Sequence, residues 1–274
     1  SEFVHLTNKT EYSLSEGALP IARIAELCQS FTMPAVGITD NNNMFGALEF
    51  SEQIAKVGVQ PILGCNIKIK TPKEYLHENI EDNDLHFYMN IFSKSNEGYK
   101  NLLKCVSNAY TLNKGNAYVK IDDLIKFKEG LIILSGGNNS ILTHSTGTMI
   151  TKQSKQFVSD FKREFNDNFY IEIQRLGIVD YRLNEEAVLN LAFDHKIPLV
   201  ATNDAYFEGP EHFEAHDALM CIEKKLFVSQ ADRTRLSKEH YFKTQNEMLE
   251  LFHDLPEVLN LSLIHISEPT RPLR

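Results

Sequence analysis

No stretch of this 274-residue chain is apolar for long enough to cross a bilayer, which takes about 20 residues, so a helical membrane span is excluded. The amino terminus also lacks the basic-then-apolar pattern of a secretory signal. Cysteine is scarce: Cys28, Cys65, Cys105 and Cys221 stand far apart, form no Cys-x-x-Cys pair and fall in apolar patterns. Such spacing speaks against a zinc site and fits reduced, buried thiols in a cytoplasmic protein. Positive charge is in deficit, with 28 Lys and Arg against 37 Asp and Glu and a formal net charge of −9. The chain as a whole therefore does not grip nucleic acid through its phosphates, although a local basic patch stays open. No Gly-x-Gly-x-x-Gly follows the first expected strand, which removes support for a dinucleotide fold. Ser135-Gly136-Gly137 lacks the Gly-x-Ser-x-Gly elbow, and no Ser-His-acid order accompanies it.

What the chain does have is short apolar runs that end in small or polar residues. Ala35-Val36-Gly37-Ile38-Thr39-Asp40, Leu131-Ile132-Ile133-Leu134-Ser135-Gly136-Gly137 and Leu199-Val200-Ala201-Thr202-Asn203-Asp204 are the clearest. Buried parallel strands have this form when a functional loop follows each of them. Strands are expected at 3–7, 35–40, 60–70, 87–93, 131–134, 169–174 and 197–202. Helical patterns fall between them at 21–31, 44–57, 96–112, 121–127, 151–165, 181–195 and 211–222, with an irregular stretch at 71–84. Regular alternation predicts an α/β fold with a parallel sheet closed into a barrel, its polar strand ends gathered on one rim. The barrel is expected over 1–226 and a polar, helix-rich extension over 227–260. Residues 261–274 carry two prolines and no amphipathic period, and are read as disordered or as foreign sequence.

An ordered set of short motifs resembles a known family. Phe3-Val4-His5-Leu6 and Glu11-Tyr12-Ser13-Leu14 open it. Ile38-Thr39-Asp40, Met44-Phe45-Gly46, Pro61-Ile62-Leu63-Gly64-Cys65 and Glu97-Gly98-Tyr99 follow. Leu134-Ser135-Gly136, Ala201-Thr202-Asn203-Asp204, Ala215-His216-Asp217 and Asp254-Leu255-Pro256-Glu257 complete it. Each alone is weak, but in this order the chain is similar to the amino-terminal PHP (polymerase and histidinol phosphatase) domain of bacterial replicative DNA polymerase III alpha subunits. The resemblance runs from Phe3 to about Asn260. It implies a distorted seven-stranded (β/α) barrel and a parent chain several times longer. The parent's polymerase parts, with their magnesium-binding carboxylates and most DNA contacts, would lie beyond this segment.

Active PHP domains hold several metal ions in a His- and carboxylate-rich cup and use them to activate water against a phosphodiester. The resemblance places a His-x-His-x-His motif where this chain has His5-Leu6-Thr7-Asn8-Lys9, so His5 remains while Thr7 and Lys9 replace the other two. The family's following acid appears as Glu16, and its Asp-His as Asp40-Asn41. A carboxylate becomes Asn66, a histidine becomes Tyr88 with His86 two positions earlier, and a cysteine becomes Gly137. A further histidine falls near Leu176, and the last ligand motif reads Asn203-Asp204-Ala205-Tyr206. His5, Glu16, Asp40 and Asp204 are the candidate survivors. A tight divalent site needs several converging ligands, so no catalytic residue and no cofactor is expected in this segment, with zinc or manganese only if the cup is active. Asp40 and Asp204 also have a plain structural reading as strand-end hydrogen-bond acceptors. Lys9 could pair with either in place of the missing metal.

The remaining histidines have structural readings. His195 suits a helix C-terminus. His212 and His216 stand at i, i+4 spacing but lack a third ligand. Lys224-Lys225 and the basic residues at 233–235 read as a solvated face. The resemblance then implies a cytoplasmic scaffold at the front of a replicative polymerase. Its expected partners are the separate proofreading exonuclease subunit and other holoenzyme subunits. The alternatives are a metal-dependent 3′ exonuclease within the domain, or a stand-alone phosphatase of the histidinol-phosphatase type.

Overall fold

The computed structural model describes residues 3–75, 85–112, 117–137, 140–142, 151–230, 232–233 and 235–259. Six strands form one sheet in chain order: β1 (Ala35–Ile38), β2 (Gln60–Lys70), β3 (His86–Ser93), β4 (Leu131–Leu134), β5 (Phe169–Gln174) and β6 (Leu199–Thr202). Helices α1 (Ile21–Ser30), α2 (Ala47–Lys56), α3 (Asn96–Leu112), α4 (Ile121–Lys126), α5 (Lys152–Phe165), α6 (Val179–Asp194), α7 (Phe213–Lys224) and α8 (Gln245–Leu251) complete the regular elements.

Side-chain alternation explains the architecture. One set of strand residues (Ala35, Ile62, Phe92, Ile132, Leu134, Tyr170 and Val200) joins Val4 and Leu6 in a self-contained apolar cluster. Their neighbours in sequence, among them Cys65, Ile67, Ile91, Ile133, Ile171 and Ile173, pack instead with Leu102, Cys105, Phe157, Phe161 and Leu191 of the helices. Period-two geometry puts the two sets on opposite faces. One face closes on itself and the other lies under helices, as in a barrel-like α/β fold.

The expected first strand takes a different form. Residues 3–10 carry no continuous ladder, yet they bond to both edges of the sheet. Gly37 N–H donates to His5 O at 2.7 Å and Thr39 N–H to Asn8 O at 3.0 Å on the β1 side. Lys9 N–H donates to Ala205 O at 2.8 Å and Ala205 N–H to Thr7 O at 3.0 Å just past β6. The segment thus closes the seam between the edge strands. The sheet also departs from all-parallel pairing, because β3 runs against β2 and β4 while the other pairs are parallel. Among the described residues only a 3-10 turn, Lys73–Tyr75, lies between β2 and β3. A parallel return normally uses a longer crossover with a helix, so an antiparallel return is the natural outcome.

Several boundaries shift for local reasons. The expected helix at 44–57 starts at Ala47 because Asn43 Oδ1 accepts the Phe45 N–H at 3.1 Å in an Asx turn. The strand expected at 197–202 starts at Leu199 because Ile197 N–H bonds back to Ala192 O at 2.9 Å and Lys196 adopts φ 52°, ending α6. Thr151 caps α5 through Ser154 N–H at 3.1 Å, and Thr244 with Glu247 forms a capping box on α8.

The stretch expected as a helix-rich extension holds two helical pieces among its described residues, α8 and the helical residues 257–259. Its apolar residues are built into the same cores: Phe242 packs with α1 and α2, and Met248, Phe252, Val258 and Leu259 with the β5 side. Arg175 fastens it. Its guanidinium donates to Glu185, to Asp254 and to Leu251 O, and lies 4.7 Å from the centre of the Phe252 ring. Arg233, read as part of a solvated face, is also corrected: its side chain is 4% exposed and bonds both oxygens of buried Asp217. Lys224 and Lys225 are exposed. The expected tail at 261–274 and the stretch 76–84 lie outside the described residues.

The Arg175 clamp gives a first prediction. Arg175→Met should cost about 2–3 kcal/mol in urea unfolding, the lower end for a broken buried pair because Asp254 is half exposed. Amide exchange should accelerate over 245–259 more than in β5; equal acceleration in both would show that the clamp does not hold this segment locally.

Candidate functional site

Above the apolar inner layer the inward positions turn polar. Asn66 of β2, Asn90 of β3, Glu172 and Gln174 of β5 and Thr202 of β6 continue the alternation that began with Ile62, Phe92, Tyr170 and Val200. Asn66 Nδ2 donates to Asn90 Oδ1 at 2.8 Å, and Asn90 Nδ2 donates to both oxygens of Glu172 at 3.1 and 3.0 Å. Gln174 Nε2 at 3.1 Å, Gly136 N–H at 3.2 Å and the Thr202 hydroxyl complete the donors around that carboxylate. Gly136, at φ 97°, must be glycine here, because a Cβ would stand 1.8 Å from Tyr88 O. Burial pushes the Glu172 carboxyl up, against the opposing pull of Thr202, Asn90 and the Lys9 charge.

Lys9 occupies the middle. Its side chain is 1% exposed, and Nζ donates to Thr39 O at 2.7 Å and Thr39 Oγ1 at 3.1 Å. Asp204 Oδ1 lies 3.3 Å away, a charge contact without hydrogen-bond alignment. The same ammonium draws Glu16, Asp40 and Glu172 toward their charged forms. Asp40 accepts from Thr10 N–H at 2.7 Å, Thr10 Oγ1 at 2.8 Å and Ser13 Oγ at 2.7 Å, while burial still pushes its carboxyl up. Glu16 accepts from the Asn41 side chain, and burial raises it too.

One wall comes from the carboxy-terminal stretch. Tyr206 N–H donates to His240 O at 2.9 Å, and Asn203 Nδ2 donates to Tyr241 O at 2.7 Å. The buried Tyr206 phenol is raised by burial first and then by Asp204 and Glu16. His240 is pushed down to about 4 by burial, although Asp204 opposes this.

The structure thus gathers three of the four candidate survivors, Glu16, Asp40 and Asp204, around Lys9. It separates the fourth. His5 bonds through Nε2 to Lys243 O at 2.7 Å, and its ring sits between Phe3 and Phe242. His5 is buried, and its ring packs with Val4's neighbour Phe3 and with Phe242 of the carboxy-terminal stretch, which hold it there. Among the replaced positions, Asn41, Asn66 and Tyr206 join the cup network, and the Tyr88 phenol is raised by burial and then by Glu16. Thr7 Oγ1 accepts the Asp204 N–H at 3.0 Å. Gly137 takes φ 54° against the Gln174 side chain, and buried Leu176 contributes only its carbonyl, to Ser237. His86 pairs in register with Lys70, four residues and roughly 13 Å along β3 from Asn90, with its ring against Tyr118. His212 and His216 part company: His212 is half exposed beside Glu211, while buried His216 donates to Glu16 O at 2.6 Å.

Sequence reasoning missed Glu172, Asn90, Thr39 and His240. A signal existed for the first two, since Asn90 in HFYMNIFS and Glu172 in FYIEIQ are polar residues at inward positions of otherwise apolar strands. Thr39 acts largely through its carbonyl, and His240 arrives from a distant loop, so neither carries a local mark.

Chemically, this is a poor metal cage. Among the described residues no group of three or more His, Cys, Asp and Glu side chains is arranged to hold a metal ion. A tight zinc or manganese centre uses imidazole and carboxylate lone pairs. Here an ammonium stands among the carboxylates, and amide and hydroxyl hydrogens occupy the lone pairs of Asp40 and Glu172. The donor set does not fit such an ion.

A profile for the PHP domain matches residues 5–176. The DNA polymerase III subunit alpha of Caulobacter vibrioides is 38% identical over 267 residues, covering 95% of this chain and 23% of the relative. That of Borreliella burgdorferi is 32% identical over 272 residues, covering 98% and 24%. The chain spans less than a quarter of the length of these curated relatives. A solved structure of an amidohydrolase from Chromobacterium violaceum aligns with 74% of this chain and 87% of its own, at 11% identity and a TM-score of 0.48.

The two deeply buried histidines predict a pH dependence. His5 and His240 are both lowered to about 4 by burial. The unfolded chain takes up these protons near pH 6.5 and the folded chain does not until about 4, so their contribution is complete above roughly 6.5 and is lost on the way down. Each should remove about 2 kcal/mol between pH 7.5 and 5.0. In urea titrations at those two pH values, His5→Gln should show a shallower loss than the unmodified chain. Identical losses would mean that His5 does not titrate in this window.

Proposed function

This chain belongs to the PHP domain family, and we propose that it is the amino-terminal part of a bacterial DNA polymerase III alpha subunit, serving there as a scaffold and docking domain with a degenerate metal site. The similarity to alpha subunits over 95% of the chain supports the parent. DNA-directed DNA synthesis, a magnesium-dependent nucleotidyl transfer, then belongs to the remainder of that parent, which also makes most of the DNA contacts. The setting is the bacterial cytoplasm. No helix among the described residues is long and apolar enough to cross a membrane.

The observation that carries the scaffold reading is Lys9 inside the cup, 3.3 Å from Asp204. Metal-assisted phosphodiester hydrolysis needs a cation held by converging ligands with a position open to water. A buried ammonium at that place repels an entering cation and leaves no coordination for the attacking water. With chemistry disfavoured, binding is the role left for the domain, and its surface suits one. Phe45 is 66% exposed, Leu48 73%, Ile222 75% and Phe227 76%, apolar side chains available to a partner. The partner we assign is the separate proofreading exonuclease subunit, within the larger replicative assembly.

A metal-dependent 3′ exonuclease remains the second reading, favoured by the four carboxylates, Glu16, Asp40, Glu172 and Asp204, that interact with Lys9. Two assays decide between them. The chain, mixed with the exonuclease subunit from the same genome, should form a complex by analytical ultracentrifugation at roughly 50 µM, where about −6 kcal/mol gives half occupancy. Absence of a complex there sinks the docking role. The chain alone, supplied with manganese or zinc, should leave a 3′-labelled oligonucleotide intact; metal-dependent shortening would establish the second reading.

A further inference from the structure

We infer that the Lys9 ammonium is the permanent internal cation of this cup and the staple of the barrel seam, filling by itself the electrostatic place that metal ions fill in metal-carrying relatives. The inference rests on the scaffold reading and extends it to how the fold survives without metal.

Three observations converge on it. The first is position. Lys9 lies in the segment that closes the sheet, and its backbone N–H already bonds Ala205 O beyond β6. Its Nζ then reaches Thr39, just past β1, and Asp204, just past β6. One side chain therefore ties both edges of the seam to the segment between them. Residues 3–10 have no continuous ladder to do this alone.

The second is charge. Asp40, Glu172 and Asp204 are buried and Glu16 is partly so, and the Lys9 ammonium acts on all four. Without it, buried Asp40, Glu172 and Asp204 would lose the ammonium that offsets their charge, and Glu172 and Asp204 would repel each other uncompensated. Breaking a buried pair by removing one partner is strongly destabilising, because the other charge stays behind.

The third is hydrogen bonding. In a metal cage the carboxylate lone pairs point at the ion. Here they point at hydrogens: Asp40 at Thr10 and Ser13, Glu16 at Asn41, and Glu172 at Asn90, Gln174, Gly136 and Thr202. Asn66 continues the chain by holding Asn90 in the orientation that presents its amide hydrogens to Glu172. Asn41 and Asn66 thus supply donors while Lys9 supplies charge. Replacing an imidazole by Lys9 alone would leave the carboxylates short of donors; replacing ligands by Asn41 and Asn66 alone would leave them short of charge. The changes make physical sense together.

The experiment is the thermal midpoint of the full 274-residue chain and of Lys9→Met, each in EDTA and in excess manganese. Methionine keeps the length of the side chain and removes the charge. The unmodified chain should melt at the same temperature in both buffers. Lys9→Met should melt lower in EDTA by about 5 °C or more and recover part of that loss in manganese, because an ion bound to the native state alone raises its stability. If Lys9→Met does not fold in EDTA, refolding by dilution into manganese replaces the melt, and recovery of folded chain counts as the same result. Three outcomes overturn the inference. One is Lys9→Met matching the unmodified chain in EDTA, which means that no seam depends on the charge. Another is Lys9→Met destabilised, or failing to fold, with no help from manganese, which makes Lys9 an ordinary buried partner and leaves the scaffold reading without this addition. Or manganese stabilises the unmodified chain, in which case the cup still takes a metal and both readings fall.

Discussion

A lysine with 1% of its side chain exposed is the constraint on which the rest of the site depends. Burying an ammonium is costly unless it finds acceptors and an opposite charge. Lys9 finds both, in the Thr39 carbonyl and hydroxyl and in Asp204. Those partners come from the two ends of the sheet, so the cost can be met only when the seam is shut. The same requirement orders the neighbours. Asp204 is held at φ 47° with its N–H on Thr7 Oγ1, which keeps its carboxylate beside Nζ. Thr39 is fixed in turn by its backbone bond to Asn8. The irregular segment 3–10 is thereby given one geometry without a regular strand.

Below this polar layer the barrel is conventional in its physics. Val4, Leu6, Ala35, Ile62, Phe92, Ile132, Leu134, Tyr170 and Val200 fill the interior, and the opposite faces of the same strands receive the helices. The transition from apolar to polar happens within one step of the alternation: Phe92 to Asn90, Tyr170 to Glu172, Val200 to Thr202. A single step is enough because each polar side chain has a partner one strand away. The carboxy-terminal stretch roofs one side, where the His240 and Tyr241 carbonyls accept at the outer edge of the same layer. It belongs to the fold through Phe242, Met248 and Phe252 rather than sitting beside it.

Much of this fold was legible because strands and helices announce themselves by period. β2, β4 and β5 and helix α3 fall on their expected residues, since each is a run whose alternation or amphipathic face is uninterrupted. The reversal of β3 was not legible. Strand direction depends on what the connection does in space, and the residues between β2 and β3 carry no pattern that tells a hairpin-like return from a crossover. The first strand was expected from Phe3-Val4-His5-Leu6, whose inward residues do lie in the core, but its pairing with both edges through isolated bonds is a tertiary fact. In the site, Glu16, Asp40, Asp204 and Lys9 were found through motif resemblance. His5 was named by the same motif, and its packing against Phe3 and Phe242 is a tertiary arrangement that a motif does not reveal. Arg233 was misread because its partner Asp217 lies sixteen residues away on α7, where no local spacing reveals it.

The way the carboxylates are satisfied bears on what the domain does. A catalytic cup must keep lone pairs free for its ion and leave one position open to water, so its acids are held loosely by hydrogen-bond donors and tightly by the metal. In this chain the balance is reversed. Asp40 has three donors at 2.7–2.8 Å, and Glu172 has amide, hydroxyl and backbone donors on both oxygens. With Lys9 in place, an entering ion would have to break those bonds and also approach an ammonium that already supplies the positive charge. A cup that had merely lost ligands would leave its remaining acids exposed to mutual repulsion and short of partners. This one is filled from within by a cation, amides and hydroxyls that meet across the strand ends. Such a filling satisfies the buried acids through hydrogen bonds and one internal charge, all of them supplied by the chain itself.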